Sequence, residues 1–149
     1  MNTLFARYVI TVISLLVGLD LSAQTKTDDI VGAWLTGGKE PAKIQIFRSG
    51  DTYYGKIAWL KYPEENGNVR LDKNNPDKNK RNQRIIGLII LKNFRFDVKE
   101  WNDGTIYDPE SGKTYSCNLS LKDNNTLKVR GYVGISLLGR TEIWIRSAL

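Results

Sequence analysis

A chain of 149 residues with 22 basic and 16 acidic side chains carries a net charge of +6 and has no histidine. The length fits one domain. Lacking histidine, it lacks the side chain that titrates nearest neutrality, the Ser-His and Cys-His nucleophile pairs, and the commonest zinc ligand. That weighs against an enzyme, and no catalytic residue, metal or cofactor is assigned. Cys117 is the sole cysteine, so an internal disulfide is excluded.

In chain order, Arg7 precedes an apolar run from Tyr8 to Leu19, and Leu21-Ser22-Ala23 offers small residues before Gln24. A charge, a short apolar stretch and a small-residue exit make up a secretory signal peptide. The run is shorter than the roughly 18–20 residues that span a bilayer as a helix. The reading is therefore a leader over 1–23, a single domain over 24–149, and a periplasmic or secreted product.

Ile30 to Leu35 is predicted as the first strand, Ala42 to Phe47 as the second and Tyr53 to Leu60 as the third, with Ser49-Gly50-Asp51 as turn chemistry. Residues 62–83 are rich in asparagine, with Pro63, Gly67 and Pro76, and read as a long loop, either functional or mobile. Ile85 to Leu91 reads as a strand covered on both faces. Asn93 is expected to turn the chain into a strand from Phe94 to Trp101, and Asn102-Asp103-Gly104 to make a hairpin before Thr105 to Tyr107. After the turn at Asp108–Gly112, alternation places Tyr115, Cys117, Leu119 and Leu121 on one face of a strand. Asp123-Asn124-Asn125 turns into Leu127–Val133, and a last strand runs from Arg140 to Arg146. Nine evenly spaced strands without a helix point to an antiparallel meander, as a barrel or sandwich; closure as a barrel removes exposed edges.

Gly32-x-Trp34 near the start with Arg146 near the end is similar to the signature of lipocalin-like barrels, in which the tryptophan and arginine stack at the closed end. A longer series covers most of 24–149: Gly55-Lys56-Ile57, Asp72-x-x-Asn75-Pro76, Arg84-x-x-Gly87, Trp101-x-x-Gly104-x-x-Tyr107-Asp108-Pro109, Ser111-Gly112-Lys113-Thr114-Tyr115, Leu127-x-Val129-Arg130-Gly131-Tyr132 and Gly139-Arg140-x-x-x-Trp144-x-Arg146. In this it resembles the bacterial exported family called domain of unknown function 2147. The resemblance implies a secreted, all-β, single antiparallel lipocalin-like barrel and carries no catalytic residues.

Candidate site residues come from the last hairpin. If 134–138 make its turn, Arg130, Tyr132, Arg140, Glu142 and Trp144 share one side, with Arg130 opposite Glu142. That set either faces water or lines a polar cavity. With Arg84 and Tyr115 it forms the candidate ligand-binding group, for a small apolar or anionic ligand at the barrel mouth. The alternatives are an envelope interaction protein with a filled barrel or a histidine-independent enzyme. Residues 61–84 carry seven basic and four acidic side chains, a net +3, suited to contact with an anionic envelope surface; nucleic acid is not an expected partner. Asp72-x-Asn74 hints at a calcium loop, but Pro76, Asp77 and Gln83 break the pattern. Trp59, Trp101, Tyr107 and Tyr115 are expected to be barrel core. Asp103 and Asp108 are expected to cap turns.

Overall fold

The computed structural model describes residues 25–149, and the leader predicted over 1–23 lies outside them. Ten strands follow in chain order: β1 (Gly32–Leu35), β2 (Ala42–Ser49), β3 (Thr52–Leu60), β4 (Glu64–Glu65), β5 (Asn68–Val69), β6 (Ile89–Asp97), β7 (Glu100–Asp108), β8 (Lys113–Asp123), β9 (Thr126–Tyr132) and β10 (Arg140–Ser147). Eight of them close an antiparallel barrel in the order β1-β10-β9-β8-β7-β6-β3-β2, while β4 and β5 form a separate two-stranded ribbon. Alternation leaves a barrel or a sandwich open; the closed all-β barrel that the lipocalin-like resemblance implies is the fold.

Two predicted breaks are not breaks. Asn93 (φ 63°) sits inside β6, and the register against β3 shifts between Tyr53 and Gly55 around it. Asp103 (φ 62°) sits inside β7, where the register against β8 shifts between Trp101 and Gly104. Both are bulges, which bend a strand without ending it. Gly104 is glycine for another reason as well: a Cβ there would overlap the Phe94 ring. The chain reverses instead at Val98-Lys99, between the paired Asp97 and Glu100. Val98 takes φ 56° there, a costly conformation for a β-branched residue. Merging the predicted pieces turns nine strands into eight around the barrel.

One end of the barrel is solid. Trp34, Tyr53, Phe94, Trp101, Leu119 and Leu127 are fully buried. The Arg146 guanidinium lies over the Trp34 ring, 4.2 Å from its centroid, and donates to the carbonyls of Asp29 (2.6 Å), Val31 (3.2 Å) and Asn124 (2.6 Å). This is the stacked closed end that the glycine-x-tryptophan and late arginine imply. A Cβ on Gly32 (φ +133°) would press on Arg146 Nη1 at 3.1 Å. The incoming segment plugs this end: Trp101 Nε1 donates to the Thr27 carbonyl (2.9 Å) and the Tyr53 hydroxyl to Asp28 (2.6 Å). That bond is the main cause holding the Asp28 carboxyl below its ordinary pKa; burial raises that of Tyr53.

The other end is ringed by the connections 36–41, 61–88, 109–112 and 133–139. The long one is ordered. Asn66-Gly67 (φ 54° and 76°) turns β4 into β5, and an Asn-Gly pair between two short extended runs is a signal that could have been read. Asp72, fully buried, accepts from the Tyr107 hydroxyl and from the Asn75 side-chain amide, both at 2.7 Å. Ile85, expected in a strand, instead precedes β6 and packs into the core beside the opening.

Candidate functional site

The open end leads into a cavity of about 730 Å³. Its apolar wall comes from Ile44 on β2, Leu60 on β3, Ile90 on β6, Ile106 on β7, Val129 on β9 and Trp144 on β10. Each is an inward residue of an alternating strand, and the barrel puts them together from across the sequence. Toward the solvent the lining becomes polar, with Tyr115, Arg140, Glu142, Glu40, Arg70 and Glu110 among the contributors.

The last hairpin shows why the expected site group does not assemble as one face. Arg140 pairs with Gly131, Thr141 with Arg130 and Glu142 with Val129. The expectation that Arg130 and Tyr132 share a side with Arg140, Glu142 and Trp144 is off by one residue, and a one-residue slip sends side chains to the opposite face. Leu127 and Val129 therefore point inward with Trp144 and Glu142. Arg130 and Tyr132 stand on the outer face with Ile143 and Ile145. Arg130 does not pair with Glu142. Its guanidinium donates to the carbonyls of Ser136 (2.7 Å) and Leu137 (3.2 Å) and to the Thr141 hydroxyl (2.8 Å).

Tyr115, Arg140, Glu142 and Trp144 do line the cavity together. Trp144 Nε1 donates to Glu142 at 3.4 Å, and no ion pair holds Arg140 or Glu142 among the described residues. Arg84 lies elsewhere, in an external groove of about 760 Å³ beside Asn75, Lys80, Ile86 and Lys92. The groups missed by sequence reasoning include a clamp across the mouth: Arg70 meets Glu40 at 2.8 Å and Glu110 at 3.9 Å. It ties the long connection to two others around the rim, a juxtaposition that no local spacing encodes.

Other expectations fall where packing puts them. Trp101 is core, but Trp59 is 40% exposed, with Lys43 Nζ 5.5 Å from its ring centroid. Asp108 accepts from the Glu110 amide (3.0 Å) and the Ser111 hydroxyl (2.6 Å), a turn cap. Cys117 is fully buried, and burial pushes its thiol up to about 12. Burial and the Asp72 bond raise the Tyr107 hydroxyl as well.

A single antiparallel barrel, stacked shut at one end and hollow at the other, defines a lipocalin-like protein. A similar solved structure is protein HP1028 from Helicobacter pylori, described as belonging to the lipocalin family. It matches with a TM-score of 0.71 and 20% identity, over 79% of this chain and 82% of that one. A search of curated proteins finds no match. The model of the family described as "Uncharacterized protein conserved in bacteria (DUF2147)" matches residues 32–146, and the chain belongs to that family.

Proposed function

We propose that this protein is an exported binding module that holds one small molecule in the barrel mouth, with an apolar body against Ile44, Ile106, Val129 and Trp144 and a polar head at the rim. The observation that carries the reading is the 730 Å³ cavity with an apolar wall and with Arg140 and Glu142 at its edge. That volume lies in the range of about 300–1,000 Å³ typical of small-ligand sites. Arg140 and Glu142 are in no ion pair among the described residues, and so keep hydrogen-bonding capacity to offer a ligand. An anionic head would meet Arg140, and Glu142 would oppose it. Export is supported by the charge, apolar run and small-residue exit at 1–23.

The test is titration with anilinonaphthalene sulfonate, an apolar body carrying one anionic group, combined with native mass spectrometry of protein from its own host. Bound mass in the native spectrum and a blue-shifted probe are the expected results. Val129→Trp should weaken both by obstructing the cavity, Arg140→Ala should weaken the probe, and Glu142→Gln should tighten it. A probe signal unchanged by Val129→Trp, with no bound mass from the host, overturns the reading. N-terminal sequencing of the same material should begin at Gln24 if the leader is cut as proposed.

A further inference from the structure

The connection 133–139 has no charged residue, and its large side chains do not fold back onto the barrel. Val133 is 74% exposed, Ile135 60%, Leu137 82% and Leu138 78%. Four such residues in six positions form a contiguous apolar patch, which on a soluble surface marks a contact site. The backbone beneath them is held. A single 3-10 turn spans Ser136–Leu138, the Gly139 amide donates to the Ser136 carbonyl at 3.1 Å, and Arg130 donates to the carbonyls of Ser136 and Leu137. A cation on the outer wall thus satisfies the carbonyls of the turn, and the apolar side chains are presented outward from it.

The surroundings say what the turn meets. It stands on the rim of the open end, so whatever covers it also faces the cavity. Lys39 and Lys61 stand on the same rim; the Lys61 amide donates to the Pro41 carbonyl at 3.0 Å, which keeps Lys61 beside the 36–41 connection. Tyr62 follows, 49% exposed, with Lys61 Nζ 5.3 Å from its ring centroid. Of the rim acids, Glu40 and Glu110 are engaged by Arg70, and Glu142 stands beside Arg140 at the cavity edge. Across the mouth lie residues 61–84 with their net +3. Exposed aliphatic tips, a tyrosine at the polar boundary and flanking lysines form the pattern that enters the headgroup region of an anionic bilayer.

We infer that the open end docks on a bilayer containing anionic phospholipid, with Val133, Ile135, Leu137 and Leu138 inserted and the lysines of the rim on the headgroups. This goes beyond ligand binding and does not depend on it: a chain that docks on vesicles but takes no probe loses only the binding reading, and the converse loses only this one.

The test is co-sedimentation with vesicles of equimolar phosphatidylglycerol and phosphatidylcholine, against vesicles of phosphatidylcholine alone, using the protein as isolated from its host. Wild type should partition onto the anionic vesicles and be released by salt. Leu137→Glu with Leu138→Glu should weaken partitioning about 100-fold, as two leucines leave the interface. That variant should keep the wild-type melting temperature, since both side chains are exposed. Lys39→Gln with Lys61→Gln should weaken it about 30-fold on anionic vesicles only. Equal partitioning of wild type and the double glutamate variant overturns the proposal, as does absence of wild-type binding. So does a wild-type dimer in sedimentation velocity that the glutamates dissolve while vesicles capture nothing, which would make the patch a contact between two copies.

Discussion

Asp72→Ala is the sharpest probe of what keeps the mouth in shape. The carboxylate is fully buried and accepts from the Tyr107 hydroxyl and the Asn75 amide at 2.7 Å each. A hydrogen bond to a charged group contributes about 1.5–3 kcal/mol. Removing two of them strands Asn75 and Tyr107, while relief of carboxylate desolvation offsets part of the loss, leaving a net cost of about 2–4 kcal/mol. The cost should fall on the segment and spare the barrel, whose strands are paired all round. By the rule that 1.4 kcal/mol is tenfold, amide exchange should rise about 30- to 1,000-fold. The reporters are the amides of residue 72 and Ile85, which donate to the carbonyls of Gln83 (2.9 Å) and Arg70 (3.1 Å); Leu119 in β8 is the control. Asp72→Asn keeps an acceptor for Tyr107. It sets two amides face to face at Asn75, whose own oxygen is held by the Asp77 amide at 2.9 Å, so it should cost about half as much. Exchange over 71–85 that rises no more than at Leu119 would refute the claim that this carboxylate holds the segment.

Gly104→Ala puts a Cβ into the Phe94 ring and should lower stability by about 1–3 kcal/mol, read as a drop in the urea midpoint at unchanged slope. The Cys117 thiol, pushed by burial up to about 12, should show no thiolate absorbance at neutral pH and should resist an aromatic disulfide reagent until the protein unfolds. Because that folded value is raised, the thiol's contribution is complete below the unfolded value near 9 and is lost as pH climbs from there toward 12; Cys117→Ala should lack this alkaline loss. Asp28 runs the opposite way. Its carboxyl, lowered chiefly by the Tyr53 hydroxyl, contributes stability above the ordinary value near 3.8 that disappears as pH falls through the folded value. Urea midpoints of wild type and Asp28→Asn should therefore converge in acid and separate at neutral pH.

Most of the barrel was legible because alternation is a local property. Tyr115, Cys117 and Leu119 declare an inward face whatever their partners are. The closed end was legible too, since few residues other than Trp34 and Arg146 supply a ring and a guanidinium at opposite ends of the chain. What failed was register. The inward set of β10 cannot be matched to that of β9 without the length of the turn between them, and seven residues from Val133 to Gly139 leave both parities open. Turn chemistry misled where glycine served packing. Asn102-Asp103-Gly104 has hairpin composition, yet Gly104 is there because Phe94 fills the space of its Cβ, and the true reversal falls on Val98, which no propensity favours. Of the candidate group, Tyr115, Arg140, Glu142 and Trp144 line one cavity. Arg130 braces a turn, Tyr132 lies on the outer face, and Arg84 lies in a separate groove.

The two ends of the barrel differ because of which side chains the same alternation delivers to each. An eight-stranded barrel has an interior just wide enough for side chains to fill. At the closed end it receives Trp34, Tyr53, Phe94 and Trp101, and it is full. At the open end the corresponding inward positions are Ala42, Ile90, Ile106, Val129 and Gly131, and space remains. The missing volume is therefore a matter of residue size at named positions and requires no distortion of the wall. Aromatics in place of Val129, Ile106 or Gly131 would take up part of that space. Stability alone would favour that exchange, since an empty apolar volume costs roughly 24 cal/mol per Å³ when opened in a packed core. The cavity sits between a rim clamped by Arg70, which engages Glu40 and Glu110 of the same lining, and an apolar turn braced by Arg130. Among the described residues, Arg140 and Glu142, like Lys39, line that cavity without an ion pair.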